Sequence, residues 1–275
     1  MSFESTGTVA AQAEALQQVS GFFRGILAEV SGWVPELASL FEDQGRPPRA
    51  KAVNAATLPL VAELVNGHRW PVVGAGFVAA NSAIADTVWH MAWWQGEALE
   101  PLVLPSVAAA TDAYVRREWF TTPMEKGEPH VTGPYVDFLC TDEYTMTMTV
   151  PVTVRGRSVG VAGADVFVES LEPLLLPVLR ELDPAAALIN HVGRVVISAD
   201  PQVAAGTLLA PDAFSTFPPS DGGGNQAELS VDTDTPRTVQ PRGDWYAGSE
   251  LSVLRCDRLP LAVVHPIAAD RSAVS

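Results

Sequence analysis

Cysteine is scarce in this chain. Cys140 and Cys256 are the only two, and neither sits in a CxxC or Cys/His spacing, which excludes a zinc finger or ribbon. Two buried free thiols in a reducing compartment are expected, with a Cys140–Cys256 disulfide as the alternative. Histidine is thin as well. His68, His90, His130, His191 and His265 form no HxH or HExxH pattern, so no metal site is expected. Positive charge is in deficit: 17 Lys and Arg stand against 32 Asp and Glu, a formal charge of −15. A general nucleic-acid binder needs a basic face, and so does attraction to an anionic membrane. Long apolar runs are missing too. The greasiest stretch, WPVVGAGFVAANSAIADTVW, is interrupted by Asn81, Ser82 and Asp86 and reads as two buried strands with a turn, not a membrane span. The N-terminus has no basic start and no apolar core, unlike a secretory signal. The expectation is a soluble, cytoplasmic chain. There is no GxSxG, P-loop or GxGxxG, and no nucleophile–base pair, so neither an enzyme nor a cofactor is expected.

What is present is a core. The 275 residues are 47% hydrophobic and 18% charged, enough for one large domain or two modest ones. Residues 8–42 carry apolar side chains at steps of three and four, with Pro35 set to kink or split the helix. DQGRPPR (43–49) is a break, and a second helix is expected over 50–66, ending before Gly67. Strand patterns follow in PVVGAGFVAA and TVWHMAWWQG, a helix in PSVAAATDAYVRR, and strands near 130–138, 144–154 and 158–168. ESLEPLLLPVLREL reads as a helix. Shorter strand candidates follow in AAALINHVGRVVIS, AELSVDT, RTVQPRGDWYAGSELSVL and LPLAVVHPI, with a Pro- and Gly-rich loop between. Strands joined by short turns with inserted helices predict an α+β fold built on antiparallel sheets. The expected divisions are a helical arm (1–68), a larger module (69–183) and a smaller one (184–275).

The segment TMTMTVPVTVRGRSVGVAGADVFV is the most regular. Met146, Met148, Val150, Val152 and Val154 share one face, and Thr145, Thr147, Thr149, Pro151 and Thr153 the other. Pro151 predicts an edge position or a bulge. A three-residue RGR loop would set Val154 opposite Ser158 and Thr147 opposite Asp165. A two-residue loop would turn Asp165 in among the methionines, where an unpaired carboxylate costs several kcal/mol.

Asp165 gains interest from REWFTTPMEKGEPHVTGPYVD (117–137). In extended chain Tyr135 and Asp137 project together, and so do Arg117 and Trp119 if the preceding helix has ended. An Arg fork suits a carboxylate, while Asp side chains and aromatic faces suit an ammonium. The set fits a small zwitterion. It also fits an Arg–Asp pair with aromatic cover that locks a turn. Trp89 and Trp93 share a strand face and either roof such a pocket or pack the core; Trp94 is expected to be exposed.

These residues resemble the Cache family of sensor domains, in its double, PAS-like form. REWF is similar to the family's Arg-x-Trp-aromatic motif, and GEPHVTGPYVD to its SxPYxD turn and strand. The 148–175 stretch resembles its hairpin ending in Gly-x-Asp and a helix, and ALINHVGRVVISADPQVAAGTLL the start of its second module. The resemblance implies a helical N-terminal arm followed by two PAS-like antiparallel-sheet Cache modules. In the amino-acid-binding branch, the positions matching Arg117 and Trp119 hold the ligand carboxylate, and those matching Tyr135, Asp137 and Asp165 its amino group. Two positions depart: Asp112 stands where that branch has a Tyr, with Tyr114 close by, and Phe120 lacks a hydroxyl. An additional acid makes an ω-amino acid, diamine or basic amino acid as suitable as a plain α-amino acid. The resemblance thus implies a stand-alone sensor for a small amine-bearing metabolite, without turnover, signalling through a homodimer or a separate partner. The alternatives are an enzyme acting on a small amino or carboxylic acid, or a ligand-free protein-interaction module.

Overall fold

A computed structural model describes residues 3–42, 46–102, 114–136, 142–216, 237–241 and 250–267. The chain divides into two compact units: Phe22–Ser170, and Met1–Gly21 together with Leu171–Ser275.

The helical pattern resolves into α1 (Phe3–Gly32), α2 (Val34–Ser39) and α3 (Ala50–Asn66). The break falls at Trp33, one residue before α2, whose first turn contains Pro35. Proline has no N–H to give to the preceding turn, so it begins a helix better than it continues one. α3 stops where expected, with the Gly67 N–H bonded to the Glu63 carbonyl at 3.0 Å.

The first unit holds a six-stranded antiparallel sheet: β1 (Val72–Ala79), β2 (Met91–Gln95), β3 (Glu100–Pro101), β4 (His130–Val136), β5 (Tyr144–Val154) and β6 (Arg157–Phe167), in the order β3-β2-β1-β6-β5-β4. Only the second half of TVWHMAWWQG is strand. One face carries Met146, Met148, Val150, Ala162, Ala164, Ala75 and Phe77, all buried. Phe41, just beyond α2, meets Phe77 there with ring centroids 5.9 Å apart. Trp94 shares this face opposite Ala75 and is buried, against the expectation of exposure, because β2 is flanked by β1 and β3 and backed by α3.

The β5–β6 hairpin corrects the expected loop. The turn has two residues, Arg155 and Gly156, both at positive φ (51° and 76°), so Val154 pairs with Arg157, not Ser158. Thr147 nevertheless pairs with Asp165. A bulge between Val152↔Gly160 and Thr153↔Ser158 supplies the missing residue. An extra residue in one strand shifts register by one and restores the faces. Pro151 lies past the end of β4, whose first residue His130 pairs with Thr149, so its missing N–H faces no β4 partner.

Two further helices are α4 (Glu118–Lys126) and α5 (Val168–Leu182). The second unit holds an antiparallel sheet of β7 (Ala187–Asn190), β8 (Val195–Ser198), β9 (Arg237–Val239), β10 (Leu251–Arg255) and β11 (Leu261–Pro266), ordered β8-β7-β11-β10-β9. Ile189, Val195, Leu209, Leu251, Val253 and Val264 form its core. The Asn190 side-chain oxygen closes the β7–β8 turn by accepting from the Val192 and Arg194 N–H groups. The arrangement is α+β, with a helical arm and two antiparallel sheets, as the pattern predicted. The expected strand AELSVDT, most of the helix PSVAAATDAYVRR, Cys140 and much of the Pro- and Gly-rich loop lie outside the described residues.

Candidate functional site

The threonine face of the first sheet was expected to be the polar one. It is polar and also buried: Thr145, Thr147, Thr149 and Thr132 are all 7% exposed or less. Cross-strand pairing lays the face out in rows. Thr132, Thr147, Asp165, Gly74 and Gln95 form one, running across β4, β5, β6, β1 and β2. His130, Thr149, Gly163, Gly76 and Trp93 form the next, about 7 Å along the strands.

A short hydrogen-bonded chain joins this row to Tyr135, which pairs with Thr145 on the same face. Thr147 Oγ1 donates to Asp165 Oδ1 at 2.6 Å, and Tyr135 Oη lies 2.6 Å from the same Thr147 oxygen. A hydroxyl has one proton to give, and a carboxylate only accepts. Thr147 therefore points its proton at Asp165, and Tyr135 donates to Thr147. The chain fixes the rotamer of Asp165, which is half-buried, and links it to Tyr135 across three strands. Such O–H···O⁻ bonds are among the stronger ones in proteins.

Aromatic rings wall this face. Trp89, Trp93, Tyr114, Trp119 and Phe120 are buried with Val78 and Val161 in one cluster, and Tyr135 packs against it. Tyr114 stacks on Trp89 at 6.0 Å and meets Trp119 at 5.7 Å. Glycines make the room. A Cβ on Gly74 would stand 3.1 Å from Trp93 Nε1, and one on Gly163 would stand 2.9 Å from Thr149 Cγ2 and 3.4 Å from Trp93 Cη2. The indole of Trp93 thus lies over the sheet where side chains are missing.

Three polar atoms here are buried without a hydrogen bond among the described residues: Thr132 Oγ1, Thr149 Oγ1 and Trp89 Nε1. Buried polar groups are nearly always paired, so orphans on and around the face that carries Asp165 suit a surface that meets something polar.

The second expected half, the cation, is arranged differently. Residues 118–126 are helical, not extended, which overturns the idea that Arg117 and Trp119 project together from a strand. Arg117 has extended backbone as the N-cap, and its carbonyl accepts from the Phe120 and Thr121 N–H groups. Glu118 in the first turn, Lys126 in the last and left-handed Gly127 at the end all favour a helix here. One result is that Trp119 and Phe120 turn into the aromatic cluster while Arg117 is exposed. Its guanidinium makes no hydrogen bond or ion pair among the described residues. Glu118 instead lies 2.7 Å from His130 Nε2. Asp112 and Asp137 fall outside the described residues.

The structure therefore gathers Asp165, Tyr135, Tyr114, Trp119, Phe120, Trp89 and Trp93, and leaves Arg117 at the rim of α4. It also brings in Thr132, Thr147 and Thr149, which the sequence reading passed over as the polar side of an amphipathic strand. The available signal was the pairing of Thr147 with Asp165, already implied by the alternation. No metal-holding group of His, Cys, Asp and Glu occurs among the described residues.

Residues 81–173 match the family model described as methyl-accepting chemotaxis protein-like, first PDC sensor domain. No curated protein matches the chain. Among solved structures, the extracellular domain of a protein described as a histidine kinase, mmHK1S-Z3, aligns over 97% of this chain and 95% of its own, with TM-score 0.65 and 14% identity. The ligand-binding domain of the Campylobacter jejuni chemoreceptor Tlp3 in complex with L-valine aligns over 98% and 94%, with TM-score 0.60 and 13% identity. That of the Pseudomonas aeruginosa amino acid chemoreceptor PctC in complex with GABA aligns over 94% and 97%, with TM-score 0.52 and 16% identity. No helix among the described residues is long and apolar enough to cross a membrane. The matched model is described as a sensor domain, and the fold is shared with the sensory domain of the Campylobacter jejuni chemoreceptor Tlp3. The resemblance to the Cache sensor family therefore holds, through a PDC sensor-domain match over residues 81–173 and the fold of chemoreceptor sensory domains over nearly the whole chain.

Proposed function

We propose that the chain senses a small amine-bearing metabolite, an amino acid, ω-amino acid or diamine, and releases it unchanged. The observation that carries this reading is the Tyr135–Thr147–Asp165 chain set among buried aromatic rings. A carboxylate with a fixed rotamer beside ring faces suits an ammonium group, which gains from both the charge and the π-clouds. Asp165 is the principal ammonium partner, with Tyr135 and Asp137 assisting and Trp119, Trp89, Trp93, Phe120 and Tyr114 as walls. Asp112 is assigned the part of the additional acid that favours extra positive charge on the ligand. Arg117 is assigned the ligand carboxylate; its guanidinium has no partner among the described residues to give up first.

The ligand-binding module is taken as 69–183, with 1–68 as arm and 184–275 as second module. Readout is through a homodimer or a separate signalling partner. The reading keeps the cytoplasmic location expected from the sequence, which fractionation of cells carrying the native protein tests.

Thermal-shift screening of amino acids, ω-amino acids and diamines is the direct experiment. A ligand at a hundred times its dissociation constant adds about 2.7 kcal/mol. Asp165→Ala is expected to abolish the response of every hit and Arg117→Ala only that of carboxylate-bearing hits. A wild-type response from Asp165→Ala would end the reading, and consumption of a bound hit would turn it toward the enzyme alternative.

A further inference from the structure

At the far end of the same sheet, around the β5–β6 turn, lies an open cleft of about 410 Å³. Arg46, Arg155 and Arg157 line it, with Phe41, Ala83 and Val159 among its apolar residues. Among the described residues lining it there is no Asp or Glu. In a chain with 32 acids and 17 bases, three cations around one cleft without a carboxylate are out of keeping with the rest of the surface.

The described residues make little use of these three guanidinium groups. Arg46 and Arg157 make no ion pair or hydrogen bond among the described residues. Arg155 makes one hydrogen bond among the described residues, Nη2 donating to the Glu42 carbonyl at 3.2 Å, and no ion pair among them. Arg155 is also held at φ 51° in the two-residue turn, where Asn, Asp or Gly is the ordinary choice. A cation kept against backbone preference, at the mouth of a cleft, points to use.

We infer that this cleft binds a small organic anion, its carboxylate or phosphate head held by Arg46, Arg155 and Arg157 and its apolar body against Phe41 and Val159. Guanidinium groups suit both heads because each offers paired N–H donors to paired oxygens. The volume lies within the range of small-ligand clefts. The cleft contains none of the residues assigned to the amine, so the inference stands or falls independently of the proposed function.

Titration calorimetry of the full chain at low salt tests it. The probes are phenyl phosphate and benzoate, inorganic phosphate as a head without a body, and benzylamine as the reversed charge. Phenyl phosphate, benzoate or both should bind saturably and more tightly than inorganic phosphate. Affinity should fall with added salt and drop about tenfold or more in the double variant Arg155→Asn, Arg157→Gln. Asn is at home in this turn, so the variant keeps the hairpin, and circular dichroism checks it. Asp165→Ala should bind the anions as wild type does. Failure of both organic anions to bind, unchanged affinity in the double variant, or benzylamine competing with phenyl phosphate would overturn the inference. Inorganic phosphate binding as tightly as phenyl phosphate would overturn the role of the apolar floor.

Discussion

Thr147 and Asp165 face each other across β5 and β6, and the threonine hydroxyl donates its proton to the carboxylate at 2.6 Å. Because Tyr135 donates to the same hydroxyl oxygen, one side chain holds two others. Thr147→Val keeps the shape and removes the hydroxyl. The Tyr135 hydroxyl and the Asp165 carboxylate each lose a partner, so the variant should be about 1–3 kcal/mol less stable by urea denaturation. Thr147→Ser should recover most of that loss. A Val variant as stable as wild type would show that water replaces the hydroxyl at no cost.

Gly163 tests whether room for Trp93 matters. A methyl group there meets Thr149 Cγ2 at 2.9 Å and the Met148 carbonyl at 3.0 Å. The backbone cannot give way inside a paired strand. Gly163→Ala should lower stability by about 1–3 kcal/mol and blue- or red-shift tryptophan fluorescence as the indole is displaced. An unchanged spectrum together with an unchanged urea midpoint would contradict the packing described.

His90 supplies a pH dependence. Burial lowers its pKa below the ordinary 6.5, although Asp86 pulls the other way. Its Nε2 is 2.7 Å from the Asn54 side-chain oxygen, so it donates there. The unfolded chain takes up the proton at a higher pH than the folded one. Stability is therefore full above pH 6.5 and is lost as the pH falls from there through the lower folded value. The urea midpoint of wild type should fall more between pH 7.5 and pH 5 than that of His90→Gln. Parallel profiles would remove His90 as the cause.

Cys256 is fully buried, and burial raises its thiol to about 12, against the opposing effect of a hydrogen bond with Ser20. Thiolate is the reactive form. In a Cys140→Ser background, a maleimide dye at pH 8 should leave the folded protein unlabelled and label one thiol once denaturant is added. Rapid labelling of the folded chain would mean that the second unit opens readily at β10.

The sequence reading found the frame of the molecule and missed much of the site. The helix break at Trp33, just before Pro35, the end of α3 at Gly67 and the two faces of β5 follow from interactions within a few residues, and those are written locally. Glu118, Lys126 and Gly127 favour the helix over 118–126, but Pro123 and Gly127 read in sequence as breakers, whereas Gly127 caps this helix and Pro123 is accommodated inside it. Trp94 was misjudged because exposure depends on what covers a strand, which no local pattern records.

The alternation of threonine and methionine by itself determined that Asp165 would share a face with Thr147, since the side-chain period of a strand is two and any stable register must keep a carboxylate out of the methionines. How that register is reached was decided only in three dimensions, where a two-residue turn and a one-residue bulge replace the longer loop. The tertiary structure alone also buried the threonine face beneath Trp93, Trp119 and Phe120 and left Arg117 in solvent. Burial is a property of contacts between segments far apart in the chain, and the direction of Arg117 was set by which residue capped a helix.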